Sequence, residues 1–375
     1  MKSIVFFDNK EGVGNTTLTF NIAHLLAGRG VRVVVLDFDP QCNISAIFLA
    51  ELRLFEIWED GRSDATVTGC LEPVRRGQGD VLPPRLERVA AGLWLLPGHL
   101  ALSRFEQTLA EEFAKTLATD NDRALDVTTS LDLLSNLAAE QVAADIMIMD
   151  LGPSLGALNR AALLACDQVV LPVAPDLFSL QGLCNVGPTL REWRRDWGTV
   201  RECGLAGKPQ QALPPHDFLP LGYMVQQHLA RADRPVAGYA RWAQSIPAEY
   251  RRYVLDEAPG PTAVSFEQDA HCLALIPHYA SLVPIAQQAR KPIFDLKQAD
   301  GIGGARFRPC PAVGTTSTTS ASRSWSGSGS KCLTMKFAQH HRSLALWERV
   351  GVRERSGARR HFIIRGGSAR PMIVS

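Results

Sequence analysis

Asp8-Asn9-Lys10-Glu11-Gly12-Val13-Gly14-Asn15-Thr16-Thr17 joins two segments of different hydrophobic period, and that change of period decides the fold. Before it, Ser3-Ile4-Val5-Phe6-Phe7 is an apolar, β-branched run that reads as a buried strand. After it, Leu18, Ile22, Leu25 and Leu26 recur with helical spacing over residues 16 to 27. Strand, glycine-rich turn and helix form the setting of a phosphate-binding loop. The glycines let backbone N–H groups turn toward an anion, and the helix N-terminus adds its partial positive charge. Such loops carry G-K-[ST], whose hydroxyl suits Mg²⁺. Here the string is Gly14-Asn15-Thr16, so the hydroxyl is kept and the lysine is lost. A dinucleotide fingerprint opening at Gly12-x-Gly14 would need a third glycine at Thr17.

Three more apolar runs end in chemistry-bearing residues. Val31 to Leu36 leads into Asp37-Phe38-Asp39-Pro40-Gln41-Cys42-Asn43. Asp145-Ile146-Met147-Ile148-Met149 leads into Asp150-Leu151-Gly152-Pro153. Gln168 to Val173, containing Pro172, leads into Ala174-Pro175-Asp176. Taken singly, an Asp-x-Asp after a strand is a turn with a helix cap, and one acid at a strand end is a solvated loop residue. The runs alternate with helical stretches, which predicts an α/β fold with a doubly wound, mostly parallel sheet. Such sheets place ligands at the carboxyl ends of their strands, where these acids fall.

In order and content these segments resemble the ParA/Soj/MinD family of P-loop ATPases, whose deviant phosphate loop reads K-G-G-x-G-K-[ST]. The resemblance covers roughly residues 1 to 190, and Gly222 to Gln227 and Arg290 to Phe294 also fit it. It implies ATP and Mg²⁺ as cofactors, with Gly12, Val13, Gly14, Asn15, Thr16 and Thr17 around the phosphates. Lys10 matches the signature lysine that reaches across a dimer to the partner's phosphates. Asp39 would orient the attacking water, Asp37 and Asp150 would support Mg²⁺ through water, and Thr16 would ligate it. Pro172, Pro175 and Asp176 fall in the segment that packs around adenine. The family further implies a homodimer on ATP binding, non-specific DNA association and a ParB-like activating partner.

Two departures act on the same anion: Glu11 replaces a glycine and Asn15 replaces the phosphate-loop lysine. A lysine within ~4 Å of a phosphate contributes on the order of 4 kcal/mol at an effective dielectric of 20, and an inward glutamate repels on a similar scale. Half of that sum weakens binding by roughly several hundredfold or more. Asn15 can donate hydrogen bonds but brings no charge to the transferring group, so hydrolysis is expected to suffer more than binding. Each replacement is one base from the expected codon. Three readings follow: a partition or positioning ATPase with impaired hydrolysis, a non-hydrolysing regulatory relative, or an inactive remnant of such a gene.

The chain of 375 residues has a formal charge of +2 that conceals a split. Residues 301 to 375 hold 11 Arg and 2 Lys against Glu348 and Glu354, which leaves −9 for the first 300 residues. A nucleic-acid argument from overall charge therefore rests on the tail alone. Residues 1 to 300 read as the ATPase domain, with a variable insertion at about 59 to 92 marked by Gly61, Gly69, Gly77, Gly79, Pro83 and Pro84. Residues 301 to 375 read as a basic low-complexity tail without fixed structure. Its Ser/Thr/Gly tract from Thr315 to Ser330 has no apolar period. A membrane- or DNA-binding tail and an out-of-frame sequence are both open readings, and the interrupting glycines favour the second.

No apolar run approaches the ~20 residues of a membrane span, and with a strand starting almost at once no signal peptide is expected. The eight cysteines form no C-x-x-C pair. A cytoplasmic protein with reduced core thiols is expected, nucleoid-associated if it binds DNA. Short elements are predicted at Leu93 to Leu96 (strand), Leu100 to Leu117 and Leu125 to Val142 (helices), with a helix ending at Trp197 and a loop from 201 to 216. From Arg234 to Tyr253, Tyr239, Trp242, Tyr250 and Tyr253 interleave with Arg241, Arg251 and Arg252. That pattern suits a nucleic-acid surface. It also suits an amphipathic helix with its aromatics inward, which is the simpler expectation.

Overall fold

The computed structural model describes residues 1–301 apart from 11, 60–62, 119–121, 204–212, 216, 229–236, 259–263, 278 and 280–281, together with two short strands at 352–354 and 362–364. An eight-stranded sheet carries the fold. In chain order its strands are β1 (Lys2–Phe6), β2 (Val33–Asp37), β3 (Glu87–Ala90), β4 (Leu93–Leu96), β5 (Ile146–Asp150), β6 (Gln168–Val173), β7 (Leu219–His228) and β8 (Cys272–Pro277). Across the sheet they lie β3-β4-β2-β5-β1-β6-β7-β8, parallel throughout except for the antiparallel edge pair β3–β4. The chain winds outward from β1 to β2, returns to β5, and crosses to β6 on the other side. The turn after β1 therefore sits at the crevice where the winding direction changes.

Every residue of β2 and β5 is buried. Both faces of the sheet are covered, and alternate residues serve opposite layers, which is why these strands read as unbroken apolar runs. Ile4, Phe6, Val33, Val35, Ile146 and Ile148 face one layer, built from α1 (Asn15–Ala27), α2 (Asn43–Phe48) and α3 (Glu51–Glu59). Val5, Val34, Leu36, Met147 and Met149 face the other layer. That layer contains α4 (Val67–Arg76), α5 (Leu102–Ala118), α6 (Asp122–Gln141), α7 (Ala157–Leu164), α8 (Leu177–Cys203) and α9 (Ala237–Glu249). α10 (Leu282–Ala289) forms a small separate cluster in which Ala286 meets Ile293 and Leu296. Arg290 Nε donates to Leu49 O at 2.8 Å, and Ile293 N donates to Asn21 Oδ1 at 2.9 Å, so this segment is tied to α1 and the end of α2.

Two elements differ from the sequence expectation. The Gly- and Pro-marked stretch after residue 59 contains a real helix, α4, capped at its start by Thr66, whose hydroxyl accepts from Gly69 N at 3.1 Å, and closed by Gly77 at φ 66°. Val67, Cys70, Leu71 and Val74 supply its buried stripe despite Pro73. α8 does not stop at Trp197 but runs to Cys203, because Trp193, Trp197 and Val200 continue one buried stripe through Gly198. Most of the expected 201–216 loop lies outside the described residues. So do the expectations for the tail, apart from an antiparallel pairing of Val352–Glu354 with Phe362–Ile364.

The aromatic and arginine segment follows the helical reading where it is described. Tyr250 is fully buried, and Arg251 Nη2 donates to buried Asp269 Oδ1 at 2.5 Å. Arg252 is exposed, stacked over Tyr253 at 5.1 Å, and Arg241 stacks over Trp242 at the same distance. The Tyr239 side chain lies outside the described residues.

Candidate nucleotide site

The loop after β1 has the backbone of an anion cradle. Gly12 and Gly14 take φ of 75° and 101°, left-handed values that favour glycine. Gly14 caps α1, and its carbonyl accepts from Leu18 N at 2.9 Å. A Cβ on Gly12 would meet nothing within 4 Å, so its backbone angle and not crowding selects glycine there. Val13 is buried, and Thr17, half-buried in the first turn of α1, offers its carbonyl to Asn21 Nδ2 at 2.8 Å.

On one side of the loop stand three carboxylates at the ends of β2 and β5. Asp37 pairs in register with Asp150. Asp37 Oδ2 accepts from Ser45 Oγ at 2.5 Å and Ser45 N at 3.1 Å, and Asp37 Oδ1 accepts from Asp39 N at 3.1 Å. Asp39 Oδ1 accepts from Gln41 N at 3.0 Å, and a Cβ on Gly152 would come 3.0 Å from that oxygen. Thr16 Oγ1 donates to Asp150 Oδ2 at 2.9 Å, while Asp150 Oδ1 is buried with no hydrogen-bond partner. Burial pushes Asp37 up to about 7, against the hydrogen bonds from Ser45 and with the charge of Asp39 adding to it. Burial, followed by the charge of Asp37, raises Asp150 well above the carboxylate range. Crowded, desolvated acids of this kind call for a compensating cation.

On the other side the loop meets β6 and α8. Lys10 Nζ donates to Asp176 Oδ2 at 2.7 Å and to Ser179 Oγ at 3.4 Å, and it lies 5.9 Å from the Phe178 ring centroid. Burial would raise Asp176, but the Lys10 hydrogen bond and its own bond from Ser179 N hold it below its ordinary value. Pro175 is buried just past the end of β6, beside Asp176. Pro172 is set back within the strand, in register with Met224 of β7. Asn15 is 8 % exposed, and its Oδ1 is buried without a hydrogen-bond partner. The Glu11 side chain lies outside the described residues.

Four contributors escaped sequence reading. Asp8 is buried and, chiefly by burial, pushed up to about 7, with one carboxylate oxygen unpartnered. Ser45 braces Asp37, Ser179 backs Lys10, and Gln226 brings a buried, unpartnered Nε2 to 3.7 Å from where a Cβ on Gly14 would stand. Asp8 is the first residue of the loop, and Ser179 and Gln226 lie in or beside segments that fit the family, but none of the four stood out as a site residue.

The sequence and the fold around this loop are similar to those of known proteins. The sequence pattern of the AAA domain family matches residues 1–198, more than half of the chain. The chain belongs to the ParA/Soj/MinD family. It is 29% identical over 190 residues to the sporulation initiation inhibitor protein Soj of Bacillus subtilis, covering 51% of this chain and 65% of Soj. Identity to a probable plasmid-partitioning protein ParA of Thermus thermophilus is 29% over 189 residues, half of each chain. The solved structure of protein DIP2308 from Corynebacterium diphtheriae superposes with a TM-score of 0.61 at 26% identity, over 77% of this chain and 97% of that one. A McdA–ATP complex from Cyanothece, 18% identical, shares the fold with a TM-score of 0.51, over 81% of this chain and 98% of that one. The chain covers 66%, 65% and 50% of the length of three of the curated relatives it matches. Among the described residues no helix is long and apolar enough to cross a membrane.

The acid side of the loop offers groups whose chemistry suits Mg²⁺. Thr16 Oγ1 and the orphaned Asp150 Oδ1 stand together, and among the described residues no cluster of three or more His, Cys, Asp or Glu could cage a metal directly. An ion here would thus be held by Thr16, phosphate and water, with the acids behind the water. The phosphate half fits less well. The cradle is formed, but position 15 offers an amide in place of an ammonium.

Proposed function

We propose that the chain is a ParA-like nucleotide-binding protein of the partition or positioning type whose hydrolytic step is impaired. The observation that carries this reading is the division of its site. Thr16, Asp37, Asp39 and Asp150 bring a hydroxyl and three buried carboxylates together beside the loop, which supports a role with Mg²⁺ and water, while Asn15 brings no cation to the cradle. Mg²⁺, when bound, would neutralise charge between the β- and γ-phosphates. Thr16 would hold it, Asp150 and Asp37 would orient its water shell, and Asp39 would position the attacking water. Asn15 can orient a phosphate oxygen but cannot stabilise the charge that builds on it in transfer.

ATP-dependent homodimerisation, non-specific DNA association through exposed arginines such as Arg241 and Arg252, and triggering by a ParB-like partner belong to the same proposal. So do the adenine contacts of Pro175 and Asp176, with Pro172 behind them, and a trans role for Lys10. Support for these comes from family membership and from the location of the residues. A wholly non-hydrolysing regulatory relative is the second reading, favoured by the buried and unpartnered Oδ1 of Asn15.

The test compares Mg-ATP binding and DNA-stimulated turnover in the chain and in its double reversion Glu11→Gly, Asn15→Lys. The expected result is weak binding with negligible turnover in the first and recovery of both in the second. Turnover in the unreverted chain at a rate matching the reverted one overturns the impaired reading.

A further inference from the structure

Position 15 carries an amide, and an amide has two unlike ends. Its oxygen only accepts hydrogen bonds and its nitrogen only donates them, so whatever holds one end decides what the other presents. In Asn15 it is the accepting end, Oδ1, that lies buried without a partner. A phosphate oxygen accepts, so it can be served only by Nδ2. An anion met by Oδ1 would be repelled. If this residue is to serve a phosphate, some donor must therefore hold Oδ1 inward.

Gln226 supplies the complement. It is 6 % exposed, and its Nε2 is a buried donor without a partner. Strand β7 carries it to the loop. Val225 stands in register with Val173, the last residue of β6, so Gln226 lies just past the end of the neighbouring strand. Met224, two residues earlier and so on the same face of β7, packs in the layer that contains α1, whose first residue is Asn15. Gln226 Nε2 is 3.7 Å from where a Cβ on Gly14, the residue before Asn15, would stand. One buried donor and one buried acceptor thus sit at adjoining positions, and each costs free energy that a bond between them removes. A lysine at position 15 would offer Gln226 no acceptor, so the match exists only with an amide there.

We propose that Gln226 is a positioning residue for Asn15: its Nε2 donates to Asn15 Oδ1 and so turns Asn15 Nδ2 toward the phosphates. The loop then holds a fixed neutral donor where a charge is missing. Such a donor can orient a phosphate oxygen without stabilising the charge that develops in transfer. The positioning role rests on the nucleotide reading, whereas the amide pair itself does not.

The test is a double-mutant cycle on the full chain with two readouts, urea denaturation without nucleotide and MANT-ATP fluorescence with Mg²⁺. Gln226→Met keeps the length of the side chain and removes the donor. It should lower the urea midpoint in the wild-type chain, where it strands Asn15 Oδ1, and leave it unchanged or higher in Asn15→Ala, where that acceptor is gone. The same substitution should weaken MANT-ATP binding by about five- to tenfold in the wild-type chain and by less than about twofold in Asn15→Ala. Equal midpoint shifts in the two backgrounds overturn the pair. Equal losses of affinity overturn the positioning role, because Gln226 would then act without Asn15. Asn15→Asp guards against a misfolded variant, since it keeps an acceptor for Gln226 and lacks the amide donor. It should hold the urea midpoint near the wild-type value and lose about tenfold or more in MANT-ATP affinity. Wild-type affinity in Asn15→Asp overturns the assignment of Nδ2 to the phosphates. A wild-type chain that binds no MANT-ATP overturns the nucleotide reading and the positioning role together, while the urea midpoints still decide the pair.

Discussion

The two sides of the phosphate loop are built differently. On the acid side, Asp37, Asp39 and Asp150 are all at most 4 % exposed, and Asp37 alone accepts three hydrogen bonds from protein donors. On the cation side, the charge comes from Lys10, a partly exposed side chain folded onto an equally open carboxylate, and position 15 carries none. The acid side is fixed by the core of the sheet, because its residues end buried strands and any replacement is felt in folding. The cation side hangs from a loop and a helix start, where a charge can be lost with little cost to the fold. A chain under weak selection for hydrolysis would keep the first and lose the second, which is the pattern seen.

The largest expected effect comes from restoring what the cation side lost. Glu11→Gly with Asn15→Lys should tighten Mg-ATP binding by on the order of several hundredfold, read by isothermal calorimetry, since each change acts on one anion at short range. Asn15→Lys alone should supply at least half of that free energy. A reverted chain that still fails to bind would move the fault away from the loop and into the acid side or the core.

Next in size is a cut on the acid side. Ser45→Ala removes the hydroxyl that donates to Asp37 and the acceptor for Gly98 N, leaving a buried N–H without a partner. The expected loss is about 2–3 kcal/mol in urea denaturation. A loss under about 0.5 kcal/mol would mean that this side is no more rigid than the other.

Asp8 tests where the two sides meet, at the first residue of the loop. Its carboxyl, pushed from 3.8 to about 7 chiefly by burial, is more easily kept neutral in the folded chain than in the unfolded one. Its contribution to stability is therefore fully present below pH ~4 and is lost as pH rises through about 7. Asp8→Asn should stabilise the chain by about 1–3 kcal/mol at pH 8 and leave it nearly unchanged at pH 4, read by denaturation at the two values. Equal effects at both would show that the carboxylate stays ionised and that Lys10 neutralises it.

Much of this site was legible in sequence because its main parts sit where the hydrophobic period breaks. Gly14, Asp37 and Asp150 each follow an apolar run, and a run buried on both faces is hard to mistake. Helix α4 was hidden because Gly69 and Gly77 look like loop punctuation, while its cap, Thr66, and its buried stripe carry weight only once the sheet lies beneath them. The expected end of α8 at Trp197 falls short because the Gly-, Pro- and Gln-rich stretch beyond 201 reads as a loop, whereas Val200 is still buried one turn past Trp197. The place of Ser179 and Gln226 at the site was hidden for a different reason, although Gln226 lies in a segment that fits the family. Ser179 meets Lys10 across 169 positions of chain, and no local pattern announces a contact of that range.

The smallest expected effect is the one that most sharpens the contrast. Lys10→Met breaks a pair whose side chains are 29 % and 38 % exposed, and pairs that open to water contribute about 0–1 kcal/mol after side-chain entropy and screening. The variant should lose less than about 1 kcal/mol at low ionic strength, and still less at 0.5 M salt, where the Debye length falls to roughly 4 Å. Thermal melts at two salt concentrations read both quantities. A loss above about 2 kcal/mol, insensitive to salt, would make Lys10 a structural anchor of β6 and α8. It would then be no more free to leave Asp176 for a phosphate than Asp37 is to leave Ser45. A small, screened loss instead describes a cation held loosely enough to exchange one anion for another.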